Sequence, residues 1–480
     1  MYNYCSIIIL ELQVEFKSWR LEYIMYINIY HTNDIHCEFD TFRKIAAYLK
    51  KHKTENDFYF DSGDYTDLKS IVVQADRGYS VMELMRACKL DAMCLGNNEV
   101  DLGNEAIVNL CEKGFPMISV NVTDNWNETI SAIQSSMILE RGNKRFLIIG
   151  TSPYYSDKLQ PSSYNVFFEM GNLKTQEPIE EIKKEIEKQK GNYDFCILLS
   201  HSGLLVDEWM LEQLPQVDLC LGGHSHSVKA ENGYSQSGKM GEKLGRVTLQ
   251  LTEEGIGEVE SVQIELAEDY DEEFDAFYDQ KLKKADDILS KPLKICRELI
   301  FDPFKECELI NFICDALKKE FESDFAIMHA GIAEDALKKP VSQKSIIENF
   351  PSKLNPTIFT ISGKSLKEAI KLSFDEEYIR GNGRGPGFRG HVLGTLGFSS
   401  NVRIGKDSLY ITIDGQLLED EKEYRIVSDD YLQRGSGYPS LKVDDDQAVF
   451  DKRFIRDIVR ENLEDEELFE QAKVCRIWKC

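Results

Sequence analysis

The sequence predicts an α/β domain, a charged linker helix and a C-terminal α+β domain, and three observations support this. The chain has 480 residues, a length that suits two or three domains. Between residues 25 and 266, short apolar runs alternate with amphipathic stretches, the pattern of an α/β layer domain. Residues 267–294 are highly charged with apolar side chains at helical spacing, and residues 295–480 mix helix and strand patterns.

The composition excludes several classes of protein. Lys and Arg number 57 and Asp and Glu 83, so the formal net charge is −26, a sign that repels nucleic-acid phosphates and anionic lipids. Hydrophobic residues make up 42% and charged residues 29%, values typical of globular proteins. No apolar stretch approaches the roughly 18 residues that span a bilayer. We therefore expect neither a nucleic-acid nor a membrane partner, and the sequence does not indicate the oligomeric state.

The first 24 residues have no basic start, no apolar core of signal-peptide length and no small-residue cleavage site. Since the first complete strand pattern begins at Met25, we expect residues 1–24 to be either a translational extension that is not native or an appendage without a role in the fold. The chain's twelve cysteines include no C-x-x-C pair, and several lie inside apolar runs. They predict reduced, buried thiols and a cytoplasmic location.

In the α/β domain, five apolar runs each lead into side chains that are able to bind metal. The runs are predicted strands at residues 27–30, 58–60, 92–95, 196–199 and 219–221. Because the carboxyl ends of strands in an open α/β sheet border one crevice, the polar side chains after these runs are expected to face one another. These candidate metal ligands are Asp34, His36, Asp64, Asn97, His201, His224 and His226.

The candidate ligands outnumber what one tetrahedral metal needs. They suit two divalent cations about 3.5 to 4 Å apart that share a carboxylate, and oxygen and imidazole donors without a thiolate favour Mn, Zn, Fe or Co. A single histidine here would more often be a hydrogen-bonded core or loop residue, and His52 is expected to be a solvated residue of a charged helix. However, four of the chain's eight histidines directly follow apolar runs beside Gly, Ser or Asp. This joint occurrence favours a dinuclear site.

The α+β domain contains an amphipathic helix pattern over residues 308–321, a strand pattern into residues 328–331 and a hairpin turn at Asp414 and Gly415. Residues 381–397 form a loop with seven glycines and two arginines. This composition suits a cradle for an anion, since exposed backbone N–H groups and guanidinium groups bind phosphate. The alternative interpretation is a flexible connector.

Five motifs in chain order carry a resemblance to a known family. They are D-x-H at residues 34–36, G-D at 63–64, G-N-x-E at 96–99, H-S-G at 201–203 and G-H-x-H at 223–226. This order resembles the calcineurin-like metallophosphoesterases, and the H-T-N-D opening, the charged linker and the second domain are similar to the two-domain 5′-nucleotidase branch. The resemblance covers about residues 25–480. It implies a four-layer αββα sandwich and a C-terminal α+β domain that binds the nucleotide.

The resemblance also implies roles for the candidate ligands. A hydroxide held by two metals would attack phosphorus in line. One metal would take Asp34, His36 and His226, the other Asn97, His201 and His224, and Asp64 would bridge them.

Two candidate catalytic residues lie where the chain departs from the family. Asn98 stands where the family has a histidine that protonates or stabilises the leaving oxygen, and Asp101 stands at the place of that histidine's partner. Since an amide donates a hydrogen bond but cannot deliver a proton, the change predicts better turnover of pyrophosphate-type and aryl substrates than of nucleoside monophosphates. Cys37 replaces a common glycine, and packing is favoured over metal binding as its role.

The substrate-binding positions also depart from the family. Ala333 stands where the resemblance implies a phosphate-binding arginine, and Arg384 and Arg389 of the glycine-rich loop are the candidate replacements. Tyr438 falls at the position of a base-stacking aromatic residue, and Phe388 is the candidate second aromatic of that clamp.

These features predict a cytoplasmic metal-dependent hydrolase of nucleotides or related phosphoesters. The alternative is a nucleotide-binding or sensing protein that keeps the metal site but has lost turnover, and Asn98 and Ala333 are the evidence for it. A purely structural interaction protein is disfavoured because it leaves the seven candidate ligands unexplained.

Overall fold

Two six-stranded sheets form the centre of the first domain. The computed structural model describes residues 25–155, 165–252, 255–385, 387–405 and 410–478, so the expected N-terminal extension lies outside the described residues. In spatial order, the strands of the first sheet are Gly255–Ile264, Leu244–Thr252, Met25–Thr32, Phe58–Asp61, Ala92–Cys94 and Met117–Ile118. Those of the second sheet are Val228–Glu231, Tyr234–Ser237, Leu219–Gly222, Phe195–Ser200, Lys144–Thr151 and Ser136–Arg141.

The continuous apolar runs arise because the central strands are buried on both faces, as in other parallel sheets with covered faces. In the strand Phe195–Ser200, Ile197 and Leu199 pack between the two sheets, while Cys196 and Leu198 pack against helices on the outside. Full burial of one such aliphatic side chain contributes roughly 1.5 to 3 kcal/mol. The register of each strand is therefore strongly determined, and with it the position of the loop that follows.

Helices cover the outer face of each sheet, which confirms the four-layer αββα architecture. Those against the first sheet are Phe39–His52, Ile71–Asp76, Tyr79–Ala87, Asn97–Val100 and Asn104–Glu112. Those against the second are Pro178–Lys188 and Leu204–Leu211. The remaining elements are the helix Asn165–Met170 and a small antiparallel pair of strands, Val122–Thr123 and Lys174–Thr175.

The linker helix packs along the first domain. Predicted over residues 267–294, it spans Glu272–Leu289 in the structure. Phe274 joins the core formed by the helices of the first sheet. Near the other end of the helix, Asp286 accepts a hydrogen bond at 2.5 Å from Lys344 of the second domain. The helix thus contacts both domains.

The second domain is α+β. Its larger sheet contains, in spatial order, Leu396–Phe398, Phe325–His329, Glu423–Asp429, Pro356–Ser362 and Val449–Phe450, and its smaller sheet Gln416–Leu417, Ile411–Ile413, Val402–Gly405 and Ile477–Trp478. Its α-helices are Glu308–Glu320, Gln343–Asn349, Gly363–Ser373, Glu376–Ile379, Asp430–Gln433, Ile455–Glu461 and Glu466–Gln471. Short 3₁₀ turns occur at Ala330–Ile332, Pro439–Leu441 and Asp445–Gln447.

The predicted hairpin turn has the expected geometry. Asp414 and Gly415 have φ angles of 49° and 77°, as a two-residue type I′ turn requires. They join the strands Ile411–Ile413 and Gln416–Leu417.

A cleft of about 760 Å³ lies between the two domains. One wall is formed by the loops that follow the carboxyl ends of first-domain strands, and the other by the glycine-rich loop and neighbouring residues of the second domain. Across the parts of the chain that the structure describes, no helix is both long and apolar enough to cross a bilayer.

Candidate metal centre

Left-handed backbone conformations mark the loops that carry the predicted ligands. Such conformations cost free energy in non-glycine residues, so they persist where the surrounding structure holds the backbone, often at a functional site. Backbone hydrogen bonds join these loops, for example from His36 N to Asp64 O at 2.9 Å. The predicted ligands with positive φ are Asp34, His36, Asp64, His224 and His226.

Three histidine rings converge on one oxygen of Asp34. The distances from Asp34 Oδ1 are 3.3, 3.7 and 3.8 Å to the Nε2 atoms of His226, His36 and His201. Asp64 Oδ2 approaches two of the same rings, at 3.3 Å from His201 Nε2 and 3.8 Å from His36 Nε2. The structure therefore brings five of the seven predicted ligands together.

The unsatisfied atoms of this centre fit a divalent cation. Asp34 Oδ1 and His201 Nε2 are buried and have no hydrogen-bond partner among the described residues, which is costly unless another group satisfies them. His201 Nδ1 lies 2.6 Å from Ser62 O. When Nδ1 donates its proton there, the lone pair of the neutral ring is on Nε2 and faces the centre. Such oxygen and imidazole donors suit Mn, Zn, Fe or Co.

Opposite charges in the centre shift one another's pKa values. Burial opposes charge on His201, but the carboxylates of Asp64 and Asp34 raise its pKa to about 10. His36 is also buried, and Asp34 and Asp67 raise its pKa to about 9. In spite of burial, His201, His226 and His36 hold the pKa of Asp34 well below its usual range. The buried carboxylates thus require nearby positive charge, which bound cations would supply.

Asn97 and His224 lie beside this cluster. Asn97 Oδ1 is 3.0 Å from His224 Nδ1, and the His224 backbone N donates to Asp34 Oδ2 at 2.8 Å. Burial lowers the pKa of His224 to about 4, so the ring is neutral at pH 7. The groups whose ligand atoms lie close enough to share one ion are Asp34–His36–His226 and Asp34–Asp64–His201. The first group coincides with a predicted set, and the division of ligands between two ions stays a prediction.

Asn98 contacts the centre through Asp64. Its side-chain Nδ2 donates to Asp64 Oδ2 at 2.5 Å, and its backbone N donates to Asp64 Oδ1 at 2.8 Å. Its Oδ1 accepts a hydrogen bond from Lys353, which also forms an ion pair with Asp101. Sequence reasoning missed Lys353, because no motif links it to the first domain.

Glu99, the last residue of the G-N-x-E motif, holds the loops together. Its carboxylate accepts hydrogen bonds from the backbone N atoms of Asp64 at 2.8 Å, Thr66 at 2.9 Å and Gly96 at 2.9 Å. Gly96 has no room for a side chain, since a Cβ there would overlap the Asp64 carboxylate. The motif therefore positions Asp64 as well as supplying Asn97.

Arg389 reaches the first domain, where it meets a residue that sequence reasoning missed. Its Nε and an Nη atom donate to Asp67 Oδ2 at 3.1 and 3.0 Å, and the same oxygen is 3.5 Å from His36 Nδ1. Arg389 therefore positions Asp67 beside a predicted ligand and lines the cleft. Arg384 is exposed on the same loop.

The structure corrects the prediction for Tyr438. Its side chain is fully buried, its hydroxyl donates to Gly394 O at 2.8 Å and its ring lies edge-on to Tyr378. A ring without an accessible face cannot stack on a base in this arrangement, so Tyr438 is a core residue. Phe388 lines the cleft, but the residue is only 7% exposed and one face of its ring stacks on Tyr431, with ring centroids 4.9 Å apart.

Cys37 packs against backbone. Its sulfur lies 3.6 Å from Tyr65 O and accepts a hydrogen bond from Asp67 N at 3.2 Å. Burial raises the pKa of this thiol above its usual range, which disfavours the thiolate that binds metals.

Comparisons with known proteins agree with this architecture. Residues 27–228 match the calcineurin-like phosphoesterase family model, and residues 296–442 match the model of the 5′-nucleotidase C-terminal domain. The chain belongs to the two-domain 5′-nucleotidase family of calcineurin-like phosphoesterases. The two matches lie on either side of the linker helix. The family is one of phosphoester hydrolases, and its phosphoesterase domain binds divalent metals, so the convergence on Asp34 is a candidate metal site.

Relatives of similar sequence include a bacterial metallophosphoesterase and animal 5′-nucleotidases. An uncharacterized metallophosphoesterase of Bacillus subtilis, YunD, is 28% identical over 463 residues, which are 90% of this chain and 98% of YunD. Bovine 5′-nucleotidase is 26% identical over 286 residues, 50% of this chain and 47% of the bovine protein. The match to the bovine enzyme thus spans about half of each chain.

Solved structures share the fold over nearly the whole chain. A putative 5′-nucleotidase from Staphylococcus aureus aligns with a TM-score of 0.63 at 17% identity and covers 95% of this chain and 100% of its own. The NAD nucleotidase of Haemophilus influenzae aligns with a TM-score of 0.62 at 15% identity and covers 95% of this chain and 97% of its own. At these identities the likeness concerns the fold alone.

Proposed function

We propose that this protein hydrolyses nucleotides or related phosphoesters with two divalent cations bound around Asp34. The observation that carries the proposal is the convergence of three histidine Nε2 atoms on Asp34 Oδ1, at 3.3 to 3.8 Å. This convergence lies in a cleft that a 5′-nucleotidase-type domain closes from the other side.

The residues of the centre have complementary tasks. Two divalent cations, when bound, supply Lewis acidity to the phosphoryl group and activate water as the nucleophile. Asp34 and Asp64 neutralise positive charge there, and the contact of His201 with Ser62 O orients its ring toward the centre. Asn98 orients Asp64 through two hydrogen bonds.

The volume and the lining of the cleft suit a nucleotide substrate. Its volume of about 760 Å³ falls within the range of small-molecule sites, roughly 300 to 1,000 Å³. Phe388 provides an aromatic wall, and the glycine-rich loop brings backbone close to any bound anion. The relatives named 5′-nucleotidase support the same class. The described cysteines are free thiols, as in a reducing compartment, and the cytoplasm is our proposed location.

Metal reconstitution followed by a substrate panel tests the proposal. Protein loaded with Mn, Zn, Fe or Co and then desalted is expected to retain close to two ions per chain. It is expected to release phosphate from p-nitrophenyl phosphate, AMP or ADP, or to cleave NAD into AMP and nicotinamide mononucleotide. His201→Ala is expected to lose metal and activity. His52→Ala is the matched control, because His52 lies in the exposed last turn of the helix Phe39–His52.

Two other outcomes would contradict the proposed hydrolase. Retained metal and measurable nucleotide affinity without turnover would favour a nucleotide-sensing protein. Failure to retain any metal after reconstitution would refute the proposed hydrolase.

A further inference from the structure

The cleft brings a lysine of the second domain to the edge of the metal centre. Lys353 follows the helix Gln343–Asn349, and its side chain is only 8% exposed. Its ammonium donates hydrogen bonds to Asn98 Oδ1 and Asp101 Oδ2, the two candidate catalytic residues of the first domain. A cation thus lies where the chain lacks the family histidine.

The backbone around Lys353 is held on both sides. Lys353 N donates to Gly387 O of the glycine-rich loop at 3.0 Å, and Asn355 N donates to Asp430 Oδ1 at 2.8 Å. The approach of the loop is close, since a Cβ on Gly387 would lie 2.9 Å from Lys353 O. The backbone position of Lys353 is therefore determined by the second domain, and its ammonium reaches across to the first.

The contacts of Lys353 also determine how the Asn98 amide is oriented. An ammonium only donates hydrogen bonds, and a carboxylate only accepts them. Asn98 therefore satisfies both neighbours only with Oδ1 toward Lys353 and Nδ2 toward Asp64. In this orientation the amide connects Lys353 to Asp64, and Lys353 is two hydrogen bonds away from a predicted metal ligand.

The two walls of the cleft indicate which part of a substrate Lys353 meets. The predicted ligands all come from the first domain, and Lys353 belongs to the opposite wall, which also contains Phe388 and the glycine-rich loop. A phosphoryl group at the ligands leaves the rest of the substrate facing the second domain. Since the attacking and leaving oxygens lie on opposite sides of phosphorus in an in-line displacement, the leaving oxygen is on the side of Lys353.

We propose that Lys353 is a catalytic residue whose ammonium contacts the leaving oxygen of the substrate and stabilises the charge that develops there. The inference rests on the proposed function. An ammonium has three N–H donors, and contacts with Asn98 and Asp101 use two of them. The third is available to a substrate in the cleft.

The reaction balances without a proton from Lys353. As the bond between phosphorus and the leaving oxygen breaks, its electron pair stays on that oxygen, which accepts a hydrogen bond from the ammonium. Water supplies the oxygen of the new bond to phosphorus and, in the net reaction, the proton that the leaving group finally carries. Lys353 keeps its own protons.

This role changes the expected substrate class. Stabilisation of a developing negative charge matters most when the leaving group is a poor one, such as the alkoxide of a nucleoside. The absence of a histidine at Asn98 predicts weak turnover of monophosphates, whereas Lys353 restores positive charge for that class. We therefore assign nucleoside 5′-monophosphates and other alkyl phosphomonoesters to the substrates of this site.

A pair of variants separates this role from a merely structural ion pair between domains. Asp101→Asn removes the ion pair and keeps the ammonium. Asp101→Asn with Lys353→Gln removes the ammonium as well, without leaving a buried carboxylate unpaired. The two proteins differ only at Lys353, and Lys353→Met in the same background is the second variant of this kind.

Two measurements compare these proteins. Loss of the ammonium is expected to lower kcat for AMP by on the order of 10²-fold, as for the loss of one donor to a developing oxyanion. Turnover of p-nitrophenyl phosphate, which has a good leaving group, is expected to fall by less than about fivefold. Orthovanadate resembles the transition state, so loss of the ammonium is expected to lower the equilibrium affinity for orthovanadate more than the affinity for inorganic phosphate. Lys353→Arg should recover part of both effects.

The possible results are distinguishable. Equal losses of AMP and p-nitrophenyl phosphate turnover, with an unchanged ratio of vanadate to phosphate affinity, would show that Lys353 only joins the domains and would overturn the inference alone. If the wild-type protein cleaves no phosphoester with any of the four metals, the proposed function fails, and the inference fails with it.

Discussion

Removal of the Asp34 carboxylate is the most direct test of the metal centre. Asp34→Asn keeps the shape of the side chain and removes its charge. Asp34 belongs to both groups of ligands that the structure brings together, whereas Asp64 belongs to only one of them. We therefore expect Asp34→Asn to lower the metal content from near two ions to below one per chain.

The magnitude follows from the geometry of the charge. Asp34 is fully buried, and its Oδ1 lies 3.3 Å from the nearest histidine nitrogen, that of His226. Opposite unit charges about 4 Å apart interact by about 4 kcal/mol at an effective dielectric constant near 20, and a divalent ion increases this. Loss of about 4 kcal/mol, the value for unit charges, already corresponds to roughly a thousandfold weaker metal binding.

The assay is elemental analysis of desalted protein after reconstitution with Mn or Zn, with dissociation constants from chelator competition. Asp101→Asn is the matched control, because Asp101 is a carboxylate of the same cleft that pairs with Lys353 instead of a ligand histidine. The control is expected to keep its metal. If Asp34→Asn retained two ions with wild-type dissociation constants, the ions would bind elsewhere and the proposed centre would be wrong.

Three further predictions concern single side chains. Tyr438→Phe should cost about 1 kcal/mol of unfolding free energy in urea by removing the hydrogen bond to Gly394, and a selective loss of nucleotide turnover would contradict its place in the core. Phe388→Leu should weaken nucleotide binding by about 1 kcal/mol, the low end for base stacking because Phe388 is only 7% exposed, and should spare p-nitrophenyl phosphate, whereas equal losses would argue against base stacking. Burial raises the pKa of Asp207 to about 7. Its stabilising contribution is therefore full below about pH 4 and is lost as the pH rises through 7. Asp207→Asn should make the free energy of unfolding in urea fall less steeply between about pH 4 and 8. An unchanged dependence on pH would refute the raised pKa of Asp207.

The predicted ligands could be read from the sequence because their placement is local. Each follows a buried strand by a few residues, and strand register determines where the loop begins. His36, for example, is four residues beyond the end of Met25–Thr32. Chemistry then restricts the choice, since few side chains bind hard cations. The α/β class of the first domain followed from the same runs, whereas its four-layer arrangement was implied by the family resemblance.

The parts that sequence reasoning missed depend on contacts between distant segments. Lys353 and Asn98 are 255 residues apart, and Arg389 and Asp67 are 322 apart. No periodicity or spacing links such pairs, because they meet only when one domain packs on the other. The prediction that Tyr438 stacks on a base was wrong for a related reason. A motif gave its position in the chain, but burial against Tyr378 and Gly394 decides whether its ring is accessible.

Two ion pairs join the domains at the edge of the metal centre. Lys353 pairs with Asp101 beside Asn98, and Arg389 pairs with Asp67 beside His36. In each contact a cation of the second domain meets a carboxylate at the edge of the metal centre. Two cations of the second domain thus face the edge of the metal centre across the cleft. Because each cation comes from the second domain, the charge at the edge of the centre depends on how the second domain packs on the first.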